Sequence, residues 1–285
     1  MVVERVAERF GLGRPAAPPV RVAGGLSNDL WRLVTDRGTY AVKRMVVNAE
    51  RPDFVANVEA AFRVEWRAWA AGVAMAEPVP RTDGRALAHV DGSLFRVHRW
   101  VDGRTGAGSA GRAAGLLAAI HAAGEPRWDA APEAPWPGTG WDHDIAGLAR
   151  RVADVPDRVL VVDSHRDLDR KNTLCRDRDG VLAALDWDAA GPASAVHEAV
   201  AVALDFSAGD PAVFADAVAA YTRLSGVAVP RQPWAFAGWV AAQGGWLDHQ
   251  AGVASGRAEV AATLARLRNL AAGLDVLLAG APDHP

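Results

Sequence analysis

The chain has 285 residues, of which 50% are hydrophobic and 23% charged, as expected for a folded globular protein with one large domain or two lobes. Its formal net charge of -3 argues against a nucleic-acid partner, because phosphate backbones are bound by basic surfaces. No apolar run approaches the roughly 20 residues of a membrane span, so no membrane partner is expected. The single cysteine, Cys175, excludes internal disulfides, and we expect a reducing, cytoplasmic location.

Lysine is rare in this chain. Among 31 basic residues, only Lys43 and Lys171 are lysines. Because arginine serves nearly everywhere else, a remaining lysine can mark a position where a compact ammonium is needed and a planar guanidinium does not fit. The alternative is retention by chance, so each lysine has to be judged from its sequence context.

The first hundred residues alternate strand-like segments with turn signals such as Asp91-Gly92. One amphipathic helix is expected over 1–10, and a longer helix over 53–71, where apolar residues recur at helical spacing before Gly72. Period-two alternation and β-branched residues predict strands at 19–24, 30–35, 39–47, 85–90 and 94–101. These first hundred residues therefore predict a small β-rich lobe with one main helix.

Helical patterns dominate after Asp102-Gly103, and strand-like pieces occur only within 158–188. The predicted helices are 109–123, 143–154, 212–225, 232–253 and 257–279. We therefore predict an α+β fold with an N-terminal lobe over 1–98, a connector at 99–104, and a larger, mostly helical lobe over 105–285.

The β-rich stretch of the second half contains the motif HRDLDRKN at 165–172. It fits H-R-D-L-x-x-x-N, in which the aspartate reaches a substrate hydroxyl and an asparagine five residues later turns toward magnesium on nucleotide phosphates. Those residues are Asp167 and Asn172 here, and His165 is expected to be structural. Asp186, in LDWD, follows an apolar strand and is a candidate second metal ligand. The alternatives are a solvated turn for the motif and a turn or helix cap for Asp186.

The sequence GGLSND at 24–29 joins two predicted strands. Its glycines let backbone N–H groups approach an anion, and a serine adds a hydroxyl donor. A plain hairpin is the alternative, because most glycine-rich turns bind nothing. The candidate nucleotide-binding residues in this turn are Gly25, Ser27 and Asn28.

Lys43 lies in YAVKR, which is similar to the V-A-I-K strand whose lysine holds nucleotide phosphates. Such a lysine needs a carboxylate to orient it. We expect Glu65, near the end of the following helix, to do so, with Glu59 as the fallback. The two glutamates are six residues apart and therefore lie on different faces of the helix.

These parts occur in the same order in the aminoglycoside phosphotransferases and related small-molecule kinases, which this chain resembles from about Val20 to Phe206. The resemblance rests on GGLSN, AVKR, the helix end EWRAWAAG, LLAAIH, SHRDLDRKN and LDWDAAG. It implies a bilobal protein-kinase-like fold. No A-P-E follows LDWD, which disfavours a protein substrate. Two positions depart from the family, which usually has glycine where Arg166 stands and often histidine where Asp169 stands.

The resemblance implies transfer of phosphate from ATP, or from GTP, to a hydroxyl of a small molecule with Mg²⁺. Asp167 would accept the proton, Asn172 and Asp186 would hold the metal, and Lys43 would hold the phosphates with the help of Glu65. The expected acceptor is an antibiotic, such as an aminoglycoside, a nucleoside antibiotic or a macrolide. The alternatives are a metabolic kinase for choline, homoserine or a sugar, and a pseudokinase. Against the pseudokinase, every catalytic position is filled.

The acceptor side is less well defined by sequence. Asp169 could repel phosphate, face a cationic substrate or cap the turn, and Asp188 could assist the metal or the loop. Trp239 and Trp246 share a helical face next to Asp248, and this aromatic wall would suit a bulky substrate, although most tryptophans are core residues. We take Asp169, Trp239, Trp246 and Asp248 as substrate-binding candidates and expect a monomer or homodimer.

Overall fold

The computed structural model describes residues 2–22 and 28–280 and divides into two compact units. The first unit contains the described residues up to Ala107 together with Lys171–Gly191. The second contains Gly108–Arg170 and the described residues from Pro192 onward. The chain therefore returns to the first unit directly after HRDLDR. The lobe limits and the connector at 99–104 stay predictions.

A six-stranded antiparallel sheet forms the centre of the first unit among the described residues. Its strands are β1 (Val20–Val22), β2 (Asn28–Thr35), β3 (Gly38–Met45), β4 (Pro78–Val79), β5 (Ala88–Val90) and β6 (Ser93–Arg99). The spatial order is β1-β2-β3-β6-β4, and β5 also pairs with β6. The five strands predicted from the sequence are present, and only the short β4 was not predicted.

The described part of the first unit contains two α-helices, α1 (Val2–Arg9) and α2 (Phe54–Ala70), which pack in different apolar clusters with the sheet. Tyr40 and Val42 belong to the cluster that includes the buried residues of α1. Met45 packs with residues of α2 instead. Because side chains alternate along a strand, Lys43 shares the face of Met45 and is directed away from the α1 cluster.

A smaller three-stranded sheet completes the described part of the first unit. It consists of β7 (Gly103–Thr105), β10 (Thr173–Arg176) and β11 (Leu182–Ala184), in the order β11-β10-β7. The amide of Ala76 donates to the carbonyl of Ala184 at 3.2 Å, which ties the hairpin to the segment after α2. A 3₁₀ turn at Trp187–Ala189 follows, with Trp187 only 1% exposed. This buried indole fixes the turn that carries Asp186 and Asp188.

The second unit is mostly helical. Its helices are α3 (Ala110–Ala123), α4 (His143–Val152), α5 (Ala195–Ser207), α6 (Pro211–Ser225), α7 (Ala237–Ala251) and α8 (Arg257–Gly280). A small sheet has the order β12-β9-β8, with β8 (Arg127–Asp129), β9 (Val159–Ser164) and β12 (Gly191–Ser194). None of the described helices is both long and apolar enough to cross a membrane.

The structure confirms the predicted α+β fold, with strands concentrated in the first unit and helices in the second. The predicted helices of the second half are all present, but α5 was not predicted. Most of its residues are buried, including Val196, Val200 and Phe206. A helix buried on most sides lacks the polar stripe on which recognition by periodicity depends.

Helix α7 packs closely against Trp136. A Cβ added at Gly244 would come within 2.0 Å of the Trp136 ring, so the indole occupies the space above this glycine. One turn later, Asp248 accepts a hydrogen bond of 2.7 Å from Trp136 Nε1. Residues four apart share a helix face, so Gly244 provides the room that lets the indole reach Asp248.

We expect Gly244→Ala to lower the free energy of unfolding by about 1–3 kcal/mol, because the added methyl forces Trp136 out of its place. The measurement is thermal or denaturant unfolding of the purified protein. Gly245→Ala is the matched control, since nothing lies within 4 Å of its added Cβ. Because this control replaces a mid-helix glycine, it should raise the free energy of unfolding by about 0.5–1 kcal/mol. Equal effects of the two substitutions would contradict this account of α7.

Candidate active site

Lys43 forms the centre of a partly buried charge cluster in the first unit. Strand β3 pairs with β6, and this register places Lys43 opposite Arg96. The side chain of Lys43 is 12% exposed. Its Nζ donates to Asp186 Oδ1 at 2.7 Å and to Asp188 Oδ2 at 2.5 Å. A single ammonium thus joins both aspartates of the DWD sequence.

The hairpin β10–β11 brings the two predicted metal ligands close together in the backbone. The carbonyl of Asn172 accepts a hydrogen bond of 2.8 Å from the amide of Leu185, the residue before Asp186. Asp186 has a left-handed backbone, with φ of 57° and ψ of 70°. Aspartate tolerates this conformation better than most residues do. The sharp turn allows Asp186 and Asp188 to contact the same lysine.

The cluster extends from Asp188 toward α2 through Arg96. Arg96 Nη1 donates to Asp188 Oδ1 at 2.5 Å, and Nη2 donates to Glu65 Oε2. The other oxygen of Glu65 is 2.8 Å from His98 Nε2. Arg96 is 1% exposed and Glu65 is fully buried. Charges buried this deeply persist only with partners at hydrogen-bonding distance.

The electrostatics of the cluster favour the charged forms. Burial raises the pKa of Asp188, but the charges of Lys43 and Arg96 outweigh burial and hold that pKa far below its usual value. Burial lowers the pKa of Lys43, whereas Asp188 and Asp186 raise it above its usual value overall. Burial also raises the pKa of Glu65, but the effects of Arg96 and His98 outweigh burial and lower that pKa overall. These groups are therefore ionised at neutral pH.

One detail of the sequence prediction needs correction. Among the described residues, the ion-pair partners of Lys43 are Asp186 and Asp188, and not Glu65. Glu65 pairs with Arg96 instead. Arg96 lies opposite Lys43 in the sheet, and its guanidinium contacts Glu65 on α2. The fallback, Glu59, accepts from the amides of Ala86 and Leu87 at 3.2 and 3.3 Å and so fixes a loop.

The remaining candidates near the glycine-rich turn are only partly described. Gly25 and Ser27 lie outside the described residues. Asn28 begins β2, where its Oδ1 accepts from the amide of Val46 at 2.9 Å and holds the start of this strand against the end of β3. The role of these three residues in nucleotide binding stays a prediction.

The HRDLDR segment lies in the second unit and is held by buried groups. The amide of Asp167 donates to His165 Nδ1 at 3.3 Å, and the carbonyl of Asp167 accepts from the amide of Asp169 at 3.1 Å. His165 is fully buried, whereas the Asp167 residue is exposed and Asp169 is half-buried. The backbone thus folds tightly around the histidine and leaves Asp167 at the surface of its unit.

A residue that the sequence reasoning missed supports this segment. Glu198 on α5 accepts from the amide of Arg166 at 2.6 Å through Oε1 and contacts His121 Nε2 at 2.9 Å through Oε2. The opposite nitrogen of His121 is 2.7 Å from Tyr221 Oη. Burial raises the pKa of Glu198, but hydrogen bonds from His121 and others lower it overall. No sequence signal identified Glu198, because α5 itself was not predicted.

Arg166 has a left-handed backbone, with φ of 66°. Glycine adopts this conformation without steric cost, whereas other residues are uncommon there. The geometry therefore gives a reason for the glycine that the resembling family usually has at this position. In this chain the hydrogen bond that the amide of Arg166 donates to Glu198 helps to hold the strained backbone.

The predicted acceptor-side residues of the last helices lie on α7. Asp248 accepts hydrogen bonds from two indoles, one oxygen from Trp136 and the other from Trp141, each at 2.7 Å. Trp246 is 43% exposed, and its indole donates to Glu259 at 3.4 Å. Trp239 is half-buried. Asp248 is itself exposed, so its carboxylate is both oriented and open to a ligand.

The described residues include no group of three His, Cys, Asp or Glu side chains that could hold a metal by themselves. Asn172 and Asp186 nevertheless offer oxygen donors, and the Asp186 side chain is 42% exposed. A Mg²⁺ ion that is bound with phosphates needs only one or two protein carboxylates or amides, since phosphate and water complete its octahedron. The donor set therefore fits magnesium bound together with a nucleotide.

A separate cavity of about 280 Å³ lies in the first unit, lined by residues that include Tyr40, Trp66 and Arg99. Tyr40 and Lys43 are three positions apart on β3, so their side chains lie on opposite faces of the sheet. This cavity is therefore distinct from the lysine cluster.

Comparisons with known proteins identify the family and the fold of the chain. The family model of the phosphotransferase enzyme family matches residues 20–236. No curated protein matches the chain. Among solved structures, an aminoglycoside phosphotransferase from Alicyclobacillus acidocaldarius has 13% identity and a TM-score of 0.62 over 94% of this chain and 93% of the other.

Two further structures share the fold. A spectinomycin phosphotransferase, solved with ADP and spectinomycin, has 12% identity and a TM-score of 0.62 over 96% of this chain and 98% of the other. Choline kinase LicA from Streptococcus pneumoniae has 15% identity and a TM-score of 0.64 over 93% and 98%. At such identities the structures establish the protein-kinase-like fold alone. Together with the family match, which covers most of its length, they show that this chain is an enzyme belonging to the phosphotransferase enzyme family.

Proposed function

We propose that this enzyme transfers the terminal phosphoryl group of ATP to a hydroxyl of a small molecule, with Mg²⁺. The observation that carries the proposal is the joining of Lys43 to both aspartates of DWD, next to Asn172. This cluster offers one fixed cation for phosphates and two oxygen donors for a metal, as nucleotide-dependent phosphoryl transfer requires. GTP remains an alternative nucleotide.

The residues have distinct roles in this proposal. Lys43 holds nucleotide phosphates, and Asn172 and Asp186 hold the metal. Magnesium held there would supply positive charge to the phosphates. Asp167 orients the acceptor hydroxyl and takes its proton as the new bond from oxygen to phosphorus forms and the bond to the departing ADP breaks. The protein mainly positions the reactants and compensates charge, because phosphoryl transfer needs little covalent participation by side chains.

The exposed Asp248 supports an acceptor that carries a positive charge. Two indole N–H groups fix both carboxylate oxygens, so little side-chain entropy is lost when an ammonium group binds there. An aminoglycoside antibiotic has this chemistry, and we propose it ahead of the neutral nucleoside antibiotics. A metabolic kinase for choline is the second candidate, since its acceptor is also a cation.

A screen of nucleotide consumption tests the function. Aminoglycosides and choline represent cationic acceptors, and nucleosides and simple sugars represent neutral ones. Mass spectrometry should detect a product with one added phosphate for a cationic acceptor. Nucleotide consumption with neutral acceptors alone would contradict the role of Asp248, and failure to bind or use any nucleotide would favour the pseudokinase alternative.

The matched catalytic variant for this screen is Asp167→Ala. Loss of a general base typically lowers the rate about 10²–10⁴-fold, and we expect kcat to fall by that amount. Nucleotide affinity should stay near that of the wild type, because Asp167 acts on the acceptor. A variant with nearly wild-type kcat on the identified substrate would exclude this role.

Asp186→Asn and Asn172→Ala test the metal ligands. Each should raise the Mg²⁺ concentration needed for half-maximal activity by more than about tenfold, since even residues behind metal ligands commonly cost that much. A magnesium titration of activity, with thermal unfolding as the control for folding, gives the measurement. Unchanged magnesium dependence in both variants would leave these residues with a structural role in the turn.

Lys43→Arg tests whether the site needs an ammonium. The guanidinium is planar and longer, and it would not fit between Asp186 and Asp188, which both contact one nitrogen. We expect kcat/KM for ATP to fall at least about tenfold, equivalent to about 1.4 kcal/mol. Lys171→Arg is the control, because Lys171 is exposed and should tolerate the exchange. A fully active Lys43→Arg variant would show that the rarity of lysine is chance.

A further inference from the structure

Arg96 occupies an unusual position among the arginines of this chain. It lies on β6 directly opposite Lys43 and is 1% exposed. No sequence motif marks it. Its two terminal nitrogens donate to carboxylates from different parts of the first unit, Glu65 on α2 and Asp188 in the turn after β11.

Arg96 and Lys43 bind different oxygens of the Asp188 carboxylate. Arg96 binds Oδ1, and Lys43 binds Oδ2. With both oxygens engaged, the orientation of Asp188 is fixed, and the ammonium of Lys43 is fixed with it. An arginine can make such a bridge because its N–H donors form a rigid, planar fork, whereas a lysine offers a single nitrogen.

We propose that Arg96 is a positioning residue of the nucleotide site, which acts through Asp188 on Lys43 and links α2 to that site. This inference rests on the proposed function. Glu65 does not orient the lysine directly. It fixes one end of the guanidinium, and the other end fixes Asp188, so the connection from helix to lysine passes through three ion pairs.

A purely structural role is the competing explanation. Glu65 is fully buried, and a buried carboxylate needs a cation whether or not a nucleotide binds. The two explanations differ in what a lysine at position 96 should do. A lysine compensates the charge of Glu65 but cannot bridge to Asp188 with the same geometry. In the positioning explanation, a lysine at position 96 should therefore lower nucleotide affinity more than it lowers stability.

The experiment measures the affinity of each variant for a non-hydrolysable ATP analogue with Mg²⁺ by calorimetry, together with thermal unfolding of the free protein, kcat and KM. Arg96→Lys should raise the Kd and the KM for nucleotide about tenfold, with a smaller change in kcat. Arg96→Met combined with Glu65→Leu removes the buried pair as a unit, which avoids an unpaired buried charge. This double variant should fold, and its affinity for the analogue should be at least about tenfold lower than that of the wild type.

Arg44→Met is the matched control. Arg44 lies next to Lys43 on β3 and pairs with Asp29, which keeps a second partner in Arg21. We expect its nucleotide affinity to equal that of the wild type. Wild-type affinity in Arg96→Lys or in the double variant would overturn the positioning role, whatever the unfolding temperature. If the wild type itself did not bind the analogue, the proposed function would fail and this inference with it.

Discussion

A lysine that is nearly withdrawn from water can keep its charge only if carboxylates are held beside it, and this constraint governs the first unit. Asp186 and Asp188 raise the pKa of Lys43 against the effect of burial. Asp188 in turn depends on Arg96, and Arg96 depends on Glu65. The two cations and three carboxylates of this cluster come from β3, β6, α2 and the turn after β11. The sheet register, the helix position and the hairpin must therefore all be correct for the lysine to lie where it does.

The sequence was sufficient to predict the fold class and most elements, because strands and amphipathic helices carry periodic patterns. It also identified Lys43, Asn172 and Asp186 from motif spacing, although their roles stay predictions. It failed for the partner of Lys43. A helix glutamate was the expected partner, but the choice between Glu65 and the DWD aspartates depends on the pairing of β3 with β6. That pairing places Arg96 opposite Lys43, where Arg96 contacts Glu65, and one arginine among many gives no local signal.

The segment that carries Asp167 shows a related limit. Its motif is local and could be read directly, but its support comes from Glu198 and His121, which are distant in sequence. The strained backbone at Arg166 is held by the hydrogen bond that its amide donates to a carboxylate on α5. Such support could not be predicted, because α5 is buried on most sides and lacks an amphipathic pattern. A buried network therefore fixes the backbone of an exposed catalytic candidate.

The carboxylates of the lysine cluster and the carboxylate of Asp248 are held in opposite ways, and this contrast bears on the proposed function. In the first unit, Glu65 and Asp188 are withdrawn from solvent and paired with cations of the protein itself. In the second, Asp248 is exposed, and the donors that contact it among the described residues are neutral indoles, which orient its negative charge without cancelling it. Neutral donors preserve the attraction of a carboxylate for a cation, whereas an arginine partner would cancel it. In the proposed function, the charges of the lysine cluster therefore serve internal positioning, and the charge of Asp248 selects a cationic acceptor.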